Sequence, residues 1–313
     1  MNIGIVDVDG LTLKKKFPNI ALMKISAWHK SRGDSVEWAN PLFGQYDVVY
    51  QSKVFSFTPD DLSQYNAKRI VKGGTGYAIR MENGKEIFDK SKDVQLDDEI
   101  EHIYPDYSIY PELTKDTAFG FLTRGCPRGC DFCHVAAKEG RCSVKVANLD
   151  EFWRGQKNIV LCDPNILACR DWRELLNQLI DSKAYVDFNQ GLDARLMTDE
   201  KAQLMAKIRI KEVHFAWDRC QDRDKVLKGL ETFSRYSRKL HSHWGNVFTL
   251  TNFDTTFEQD IERIETLREM GYWAYVMIYD KEHCDPKYRK LQRWVNNRFV
   301  FAKCKTFNDY ELK

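Results

Sequence analysis

Six strand-like runs, each followed by helix-like sequence, constrain the fold of this chain more than any other feature. They lie between Thr117 and Asp280 and comprise AFGFLT, NIVLCD, AYVDFNQ, EVHFAWD, NVFTLTN and WAYVMIYD. In DWRELLNQLID, apolar residues recur at the spacing of one helix face. Thr198, and Thr255 with Glu258 three positions on, are predicted helix N-caps. Six β-α units in a row favour a parallel sheet that closes toward a barrel, about three quarters of the eight-unit design.

The first third of the chain has a simpler alternation of strand and helix signals. A strand beginning at Ile3, a helix ending near Gly33 and three further strands predict a small Rossmann-like α/β domain. The acidic, tyrosine-rich stretch 77–112 is interpreted as an ordered linker. We therefore predict the α/β fold class and two domains, 1–112 and 113–313, the second holding a partial (β/α)6 TIM-like barrel with a C-terminal extension.

Composition and charge exclude several classes of protein. The 313 residues are 43% hydrophobic and 30% charged, which is ordinary globular usage. The 48 basic and 46 acidic side chains leave a net charge of +2, so no whole-molecule field points to nucleic acid or membrane. No apolar run approaches the roughly 18 to 20 residues that span a bilayer, and the opening run is typical of a strand rather than a signal peptide. We expect a cytoplasmic protein.

Three of the nine cysteines form a C-x3-C-x2-C motif: Cys126, Cys130 and Cys133. Three thiolates on one loop can converge on a polynuclear centre, and the glycines beside them permit the backbone to curl around it. Three ligands would leave one iron of a four-iron cluster open. A Cys3His zinc site with His134 is an alternative, although adjacent Cys133 and His134 would have difficulty reaching one tetrahedral ion. We interpret the other six cysteines as structural thiols, with an auxiliary cluster as the alternative.

The three cysteines, with Phe132 before the last of them, resemble the signature of the radical S-adenosylmethionine (SAM) superfamily, including its bacterial and phage members. The resemblance covers residues 117–279, and a partial barrel is the fold that this family uses. It implies that the thiolates hold a 4Fe-4S cluster whose open iron binds SAM. It also implies that an electron, from an external donor of flavodoxin or ferredoxin type, cleaves SAM to methionine and a 5'-deoxyadenosyl radical. The radical abstracts hydrogen from a substrate that the resemblance does not identify, and no residue is assigned to that step.

The resemblance further implies SAM contacts at the strand ends. Phe132 would lie near the adenine. Asp163 and Asn165, in LCDPN, would accept from the amino group, although the family often has a Gly-Gly-Glu form there. Arg195 would bind the carboxylate, since its fork makes two charge-assisted bonds, with a surface ion pair as the alternative. The remaining predicted contacts are Gln190, Thr251 and Asn252.

The N-terminal domain resembles a cobalamin-binding domain, but we predict that it does not bind cobalamin. The loop after its first strand contains no histidine. His29 is expected on a helix surface, and Ala27 cannot orient its imidazole as a carboxylate would. The run KGGTGY from Lys72 could cradle an anion, with a plain tight turn as the alternative.

A basic and aromatic stretch near the C-terminus, KYRKLQRWVNNRFVFAKCK, offers an RNA hypothesis. Its cations could follow a phosphate backbone while Trp294 stacks a base. A solvated helix with its apolar face in the core is the other interpretation. An RNA-modifying radical SAM enzyme, with methyl or thio-group transfer, is therefore one alternative function, and a non-catalytic metal-binding module is another.

Overall fold

The computed structural model describes residues 1–13, 17–82, 85–237 and 245–311. The chain divides into two compact units, each formed by more than one segment. The first unit comprises 1–120, 128–141 and 147–159, and the second comprises 121–127, 142–146 and 160–313. No helix among the described residues is long and apolar enough to cross a membrane.

A four-stranded parallel sheet organises the start of the first unit. Its strand order is β2-β1-β3-β4, and both faces carry small apolar clusters. Leu22 and Ile25 of α2 pack with Ile5 on one face, whereas Val6 and Val49 lie on the other. The strands and the helix predicted here are confirmed. The elements are β1 (Asn2–Asp7), α1 (Val8–Thr12), α2 (Ile20–Ser31), β2 (Ser35–Trp38), β3 (Gln45–Ser52) and β4 (Asn66–Gly73).

An antiparallel hairpin lies in the stretch that was interpreted from the sequence as an ordered linker. The dipeptide Asn83-Gly84 stands between its strands in the sequence and is a strong hairpin signal. The hairpin pairs β5 with β6. The elements of this stretch are α3 (Thr75–Ala78), β5 (Ile79–Glu82), β6 (Lys85–Phe88), α4 (Asp98–Glu101) and α5 (Pro111–Thr114).

The tyrosines of the stretch 77–112 make specific contacts, as expected for an ordered segment. The Tyr107 hydroxyl donates to the Phe152 carbonyl at 2.6 Å and accepts from the Phe119 nitrogen at 3.2 Å. The Tyr110 hydroxyl donates to the Asp7 carboxylate. Burial raises the pKa of Tyr107 and of Tyr110 above the ordinary value, so both hydroxyls remain donors.

The second large sheet has six parallel strands that follow one another in chain order, β7, β10, β11, β12, β13 and β14. All six predicted strands are confirmed. A short antiparallel pair, β8 and β9, lies outside it. The elements are β7 (Thr117–Gly120), β8 (Thr123–Arg124), α6 (Val135–Glu139), β9 (Val144–Lys145), β10 (Asn158–Leu161), α7 (Trp172–Ser182), β11 (Tyr185–Leu192), α8 (Asp199–Met205), β12 (Arg209–Ala216), α9 (Arg223–Tyr236), β13 (Gly245–Thr251), α10 (Phe257–Glu269), β14 (Trp273–Ile278), α11 (Pro286–Asn296), α12 (Arg298–Lys303) and α13 (Phe307–Glu311).

The faces of this sheet differ in chemistry along β12 to β14. Phe215 packs edge-on against Phe233 of α9, so this face is covered by helices. On the other face, the His214 ring stacks on Phe248, and Tyr275 is 45% exposed. Because strand side chains alternate between faces, this second face collects polar and aromatic groups.

The cap of α10 lies one residue later than predicted. The Thr256 hydroxyl accepts from the Gln259 nitrogen at 3.3 Å, and the Gln259 side chain accepts from the Thr256 nitrogen at 2.9 Å. The capping box therefore joins Thr256 and Gln259 rather than Thr255 and Glu258. Thr198 caps α8 as predicted, accepting from the Lys201 nitrogen.

The expectation that His29 lies on a helix surface is wrong, because this residue is 1% exposed. Its Nδ1 lies 2.7 Å from the Asp34 carboxylate and its Nε2 lies 3.1 Å from the Tyr50 hydroxyl. Both ring nitrogens therefore have partners inside the first unit, which explains why a polar ring is tolerated there. The Asp34 pKa is lowered chiefly by the hydrogen bond from His29.

Trp294 is fully buried, so the hypothesis that it stacks an RNA base is wrong. Its ring packs against Phe301 at 5.0 Å between centroids, and its indole nitrogen donates to the Cys304 carbonyl. Leu291 and Val295 are buried on the same helix, α11. The alternative interpretation, a helix with its apolar face in the core, describes this segment.

The glycine-rich run after β4 leads into the short helix α3 (Thr75–Ala78). Gly74 has a φ of +99°, and a Cβ atom at Gly76 would meet the Phe55 carbonyl oxygen at 2.6 Å. The Gly76 nitrogen already donates to the Lys53 carbonyl at 2.9 Å. These glycines therefore allow close approach of two backbone segments, and the Gly76 amide is engaged by protein.

Candidate functional site

The three cysteines of the motif lie between β8 and α6, on a segment that curls at two glycines. Gly125 and Gly129 have φ angles of +82° and +57°, in the region that glycine favours. Cys126 and Cys130 are half-buried, whereas Cys133 is exposed. The curl predicted from the glycines is therefore present, and the three thiols are more accessible than a core cysteine would be.

The segment belongs to both units and contains one tight turn. Cys126 lies in the second unit, and Cys130 and Cys133 lie in the first. The Cys133 nitrogen donates to the Cys130 carbonyl at 3.0 Å. Within the ranges that the structure describes, no three side chains of His, Cys, Asp or Glu are grouped so as to hold a metal ion.

The neighbours of the motif and the other cysteines lie in different surroundings. Phe132 is half-buried. His134 Nδ1 lies 3.6 Å from the Glu86 carboxylate, and the pKa of Glu86 is lowered chiefly by this interaction with His134. Burial raises the pKa of Cys162 to about 12, which keeps this thiol protonated. Cys169 and Cys304 are buried, Cys162, Cys220 and Cys284 are half-buried, and Cys142 is exposed.

Asp163, directly beyond β10, binds the backbone that leads into the cysteine segment. Its carboxylate accepts from the Thr123 hydroxyl at 2.7 Å, the Leu122 nitrogen at 3.1 Å and the Thr123 nitrogen. It is 4% exposed, and this burial raises its pKa to about 6 despite the three donors. The structure thus gives Asp163 a local structural role that the sequence did not predict, in addition to its predicted place at a strand end.

Asn165 lies against the first cysteine of the motif. Its side-chain Nδ2 lies 3.5 Å from Cys126 Sγ, and both residues belong to the second unit. The residue is 2% exposed, and its Oδ1 is buried without a hydrogen-bond partner among the described residues. Leaving a buried amide oxygen without a hydrogen bond costs about 1–3 kcal/mol of stability, so a ligand that donates a hydrogen bond to this oxygen would bind favourably.

Arg195, beyond β11, is engaged by two carboxylates. Its Nε lies 2.7 Å from Asp193, and its Nη1 donates to Asp222. The side chain is 20% exposed. Gln190, on β11 itself, is exposed. The interpretation of Arg195 as an ion-paired residue thus describes the arrangement seen, and a ligand carboxylate would have to exchange with these acidic partners.

Thr251 and Asn252 mark the end of β13 and are engaged by the neighbouring strand. The Thr251 hydroxyl donates to the Met277 carbonyl at 3.1 Å, and Asn252 Nδ2 donates to the Tyr279 carbonyl at 2.9 Å. Asn252 has a φ of +61°, a left-handed conformation that asparagine tolerates better than most residues. These contacts fix the strand end. Of the predicted contacts, the structure brings Asn165 against the cysteine motif.

Two polar arrangements were missed by the sequence analysis. Arg263 of α10 is 1% exposed and donates to the Trp217 and Leu250 carbonyls, at the ends of β12 and β13. On the polar face of the sheet, His214 bridges the Phe188 carbonyl at 3.0 Å and the Asn246 side chain at 3.3 Å. No motif marks either arrangement; alternation of polar and apolar residues along β12 was the available signal for His214 alone.

Asp187 belongs to the same face and lacks a hydrogen bond at one oxygen. Its Oδ1 is buried without a hydrogen-bond partner among the described residues, and lies 3.9 Å from His214 Nδ1. Burial, reinforced by the neighbouring Glu212 carboxylate, raises the pKa of Asp187 to about 7. This carboxyl therefore changes charge near neutral pH.

Compared with known proteins, the chain matches no protein-family model and no curated protein.

Proposed function

We propose that this protein is a radical SAM enzyme, in which Cys126, Cys130 and Cys133 hold a 4Fe-4S cluster that binds SAM. The observation that carries the proposal is the C-x3-C-x2-C motif on a glycine-curled segment after the first strand of a six-stranded parallel sheet. Strands in chain order are the arrangement that a partial (β/α)6 barrel requires, and we propose that fold for this sheet.

The donor set fits such a cluster in its chemistry. Thiolate is the ligand that iron–sulfur clusters use, and three thiols on one short, partly exposed segment supply it. The buried Asn165 Oδ1 beside this segment is an acceptor for the amino group of SAM. Because the described side chains are not grouped for a metal ion, the proposal requires the segment to draw its thiolates together when the cluster binds.

When bound, the cluster and SAM would supply one-electron cleavage of a carbon–sulfur bond and a carbon radical for hydrogen abstraction. The protein's own residues bind and orient. Asn165 would accept an N–H from the amino group, and Arg195 would present its fork to the carboxylate in exchange for an acidic partner. Asp163 would fix the backbone before the cysteine segment. Phe132, Asp163, Gln190, Thr251 and Asn252 remain predicted contacts.

The proposed chemistry needs an electron donor and a reducing compartment. We therefore also propose that the protein works in the cytoplasm and receives its electron from a donor of flavodoxin or ferredoxin type. The substrate is left open. With Trp294 in the core, the C-terminal helix no longer favours RNA as that substrate.

Anaerobic reconstitution with iron and sulfide tests the proposal. We expect about four irons per chain, a broad absorbance of the 4Fe-4S type, and slow formation of 5'-deoxyadenosine from SAM after reduction. Single Ala substitutions at Cys126, Cys130 or Cys133 should abolish the cluster, and with it the formation of 5'-deoxyadenosine. Cys142→Ala is the matched control, because Cys142 is exposed, as Cys133 is, but lies outside the motif. A triple variant with full cluster content would contradict the assignment.

A further inference from the structure

The side chain of Asn165 is held firmly at the sulfur of Cys126. The Asn165 backbone carbonyl accepts from the Ser143 hydroxyl at 2.8 Å and from the Ala168 nitrogen at 3.2 Å. The next residue, Ile166, is fully buried. With its carbonyl held by two hydrogen bonds and its side chain buried, Asn165 has few other positions for its amide.

The amide is oriented with its N–H toward sulfur. Nδ2 lies 3.5 Å from Cys126 Sγ, a hydrogen-bond distance for the larger sulfur atom, while Oδ1 has no hydrogen-bond partner among the described residues. A flipped amide would turn its oxygen toward the sulfur, which is unfavourable once the thiol is ionised as a ligand. The N–H donor is therefore the group that faces the thiolate.

We propose that Asn165 is a positioning residue that donates a hydrogen bond to the Cys126 thiolate and raises the reduction potential of the bound cluster. The inference rests on the proposed function. Reduction adds negative charge to a cluster, and that charge spreads over its sulfur ligands. An N–H donor at one of these sulfurs stabilises the reduced form more than the oxidised form, and hydrogen bonds to sulfur are among the known determinants of cluster potential.

The test is a potentiometric titration of the reconstituted full-length protein without SAM, followed by EPR of the reduced cluster. Asn165→Leu removes the donor at similar size. We expect its midpoint potential to shift to a more negative value than that of the parent. Asn246→Leu is the control, since the Asn246 amide contacts His214 rather than a cysteine. It should keep the parent potential.

The outcomes separate the two proposals. Absence of a cluster in the parent protein overturns the proposed function itself. A parent potential in Asn165→Leu at full iron content overturns the tuning role alone. If the leucine variant holds no cluster, Asn165→Asp is measured instead, because it keeps the shape of the side chain but replaces the N–H donor by a carboxylate. The midpoint potential of this variant should be even more negative, and an unchanged potential overturns the tuning role. Loss of iron in both variants while they remain folded by circular dichroism also overturns the tuning role.

Discussion

We expect the substitution Arg263→Met to destabilise the protein strongly. The guanidinium is fully buried and makes three hydrogen bonds: 2.6 Å to the Trp217 carbonyl, 2.6 Å to the Leu250 carbonyl, and one to the Asp260 carboxylate. Asp260 is also fully buried, and its second oxygen accepts from the Asn252 nitrogen at 3.2 Å. Methionine fills much of the same volume but leaves the carboxylate without its cation.

The magnitude follows from the buried charge. Removing one partner of a buried ion pair costs about 3–5 kcal/mol, because the remaining charge is desolvated and uncompensated. At about 2–4 °C per kcal/mol for a domain of this size, the melting temperature should fall by roughly 6–20 °C. The double variant Arg263→Met with Asp260→Leu buries no charge, so it should be more stable than the single variant.

Urea denaturation of the full chain, followed by tryptophan fluorescence and far-UV circular dichroism, measures these differences. Arg289→Met is the matched control, because Arg289 is exposed and should change the free energy of unfolding by no more than about 0.5 kcal/mol. A loss below about 1 kcal/mol in Arg263→Met would refute the reasoning from buried charge. So would a double variant that is less stable than the single one.

Three further predictions concern other parts of the chain. Because the folded-state pKa of Asp187 is raised to about 7, the folded state holds the proton of this carboxyl more tightly than the unfolded state, and its contribution to stability falls as pH rises from about 4 to 7. Asp187→Asn should therefore be more stable than the parent at pH 8 but not at pH 4. A gain in stability that is independent of pH in denaturation experiments would contradict this. Gly229→Ala should lower the melting temperature, although alanine ordinarily favours a helix, because its Cβ would lie 1.8 Å from the Ala194 carbonyl oxygen. Thermal melting of this variant is compared with that of Lys228→Ala, a substitution at an exposed residue of the same helix. Hydroxocobalamin should not bind, since His29 is engaged inside the first unit, and corrin absorbance that survives gel filtration would show the opposite.

Local patterns in the sequence were sufficient to predict the strands and the main helices and to identify the cysteine motif. Alternation and 3.6-residue periodicity describe what each segment can bury, so all six strands of the large sheet were predictable. The glycines at 125 and 129 likewise indicated a curl, because their conformational freedom is a property of the residue itself. These features depend on a few neighbouring residues, which is why one sequence suffices for them.

Tertiary structure alone decided the partners of the polar side chains. Asp163 meets Thr123 across 40 positions, and Arg263 meets the Trp217 carbonyl across 46. His29 was expected at a surface, yet its ring nitrogens find Asp34 and a tyrosine hydroxyl inside the first unit. A buried polar group is tolerated only where a partner comes within hydrogen-bond distance, and that distance is set by how strands and helices pack, which no local pattern specifies.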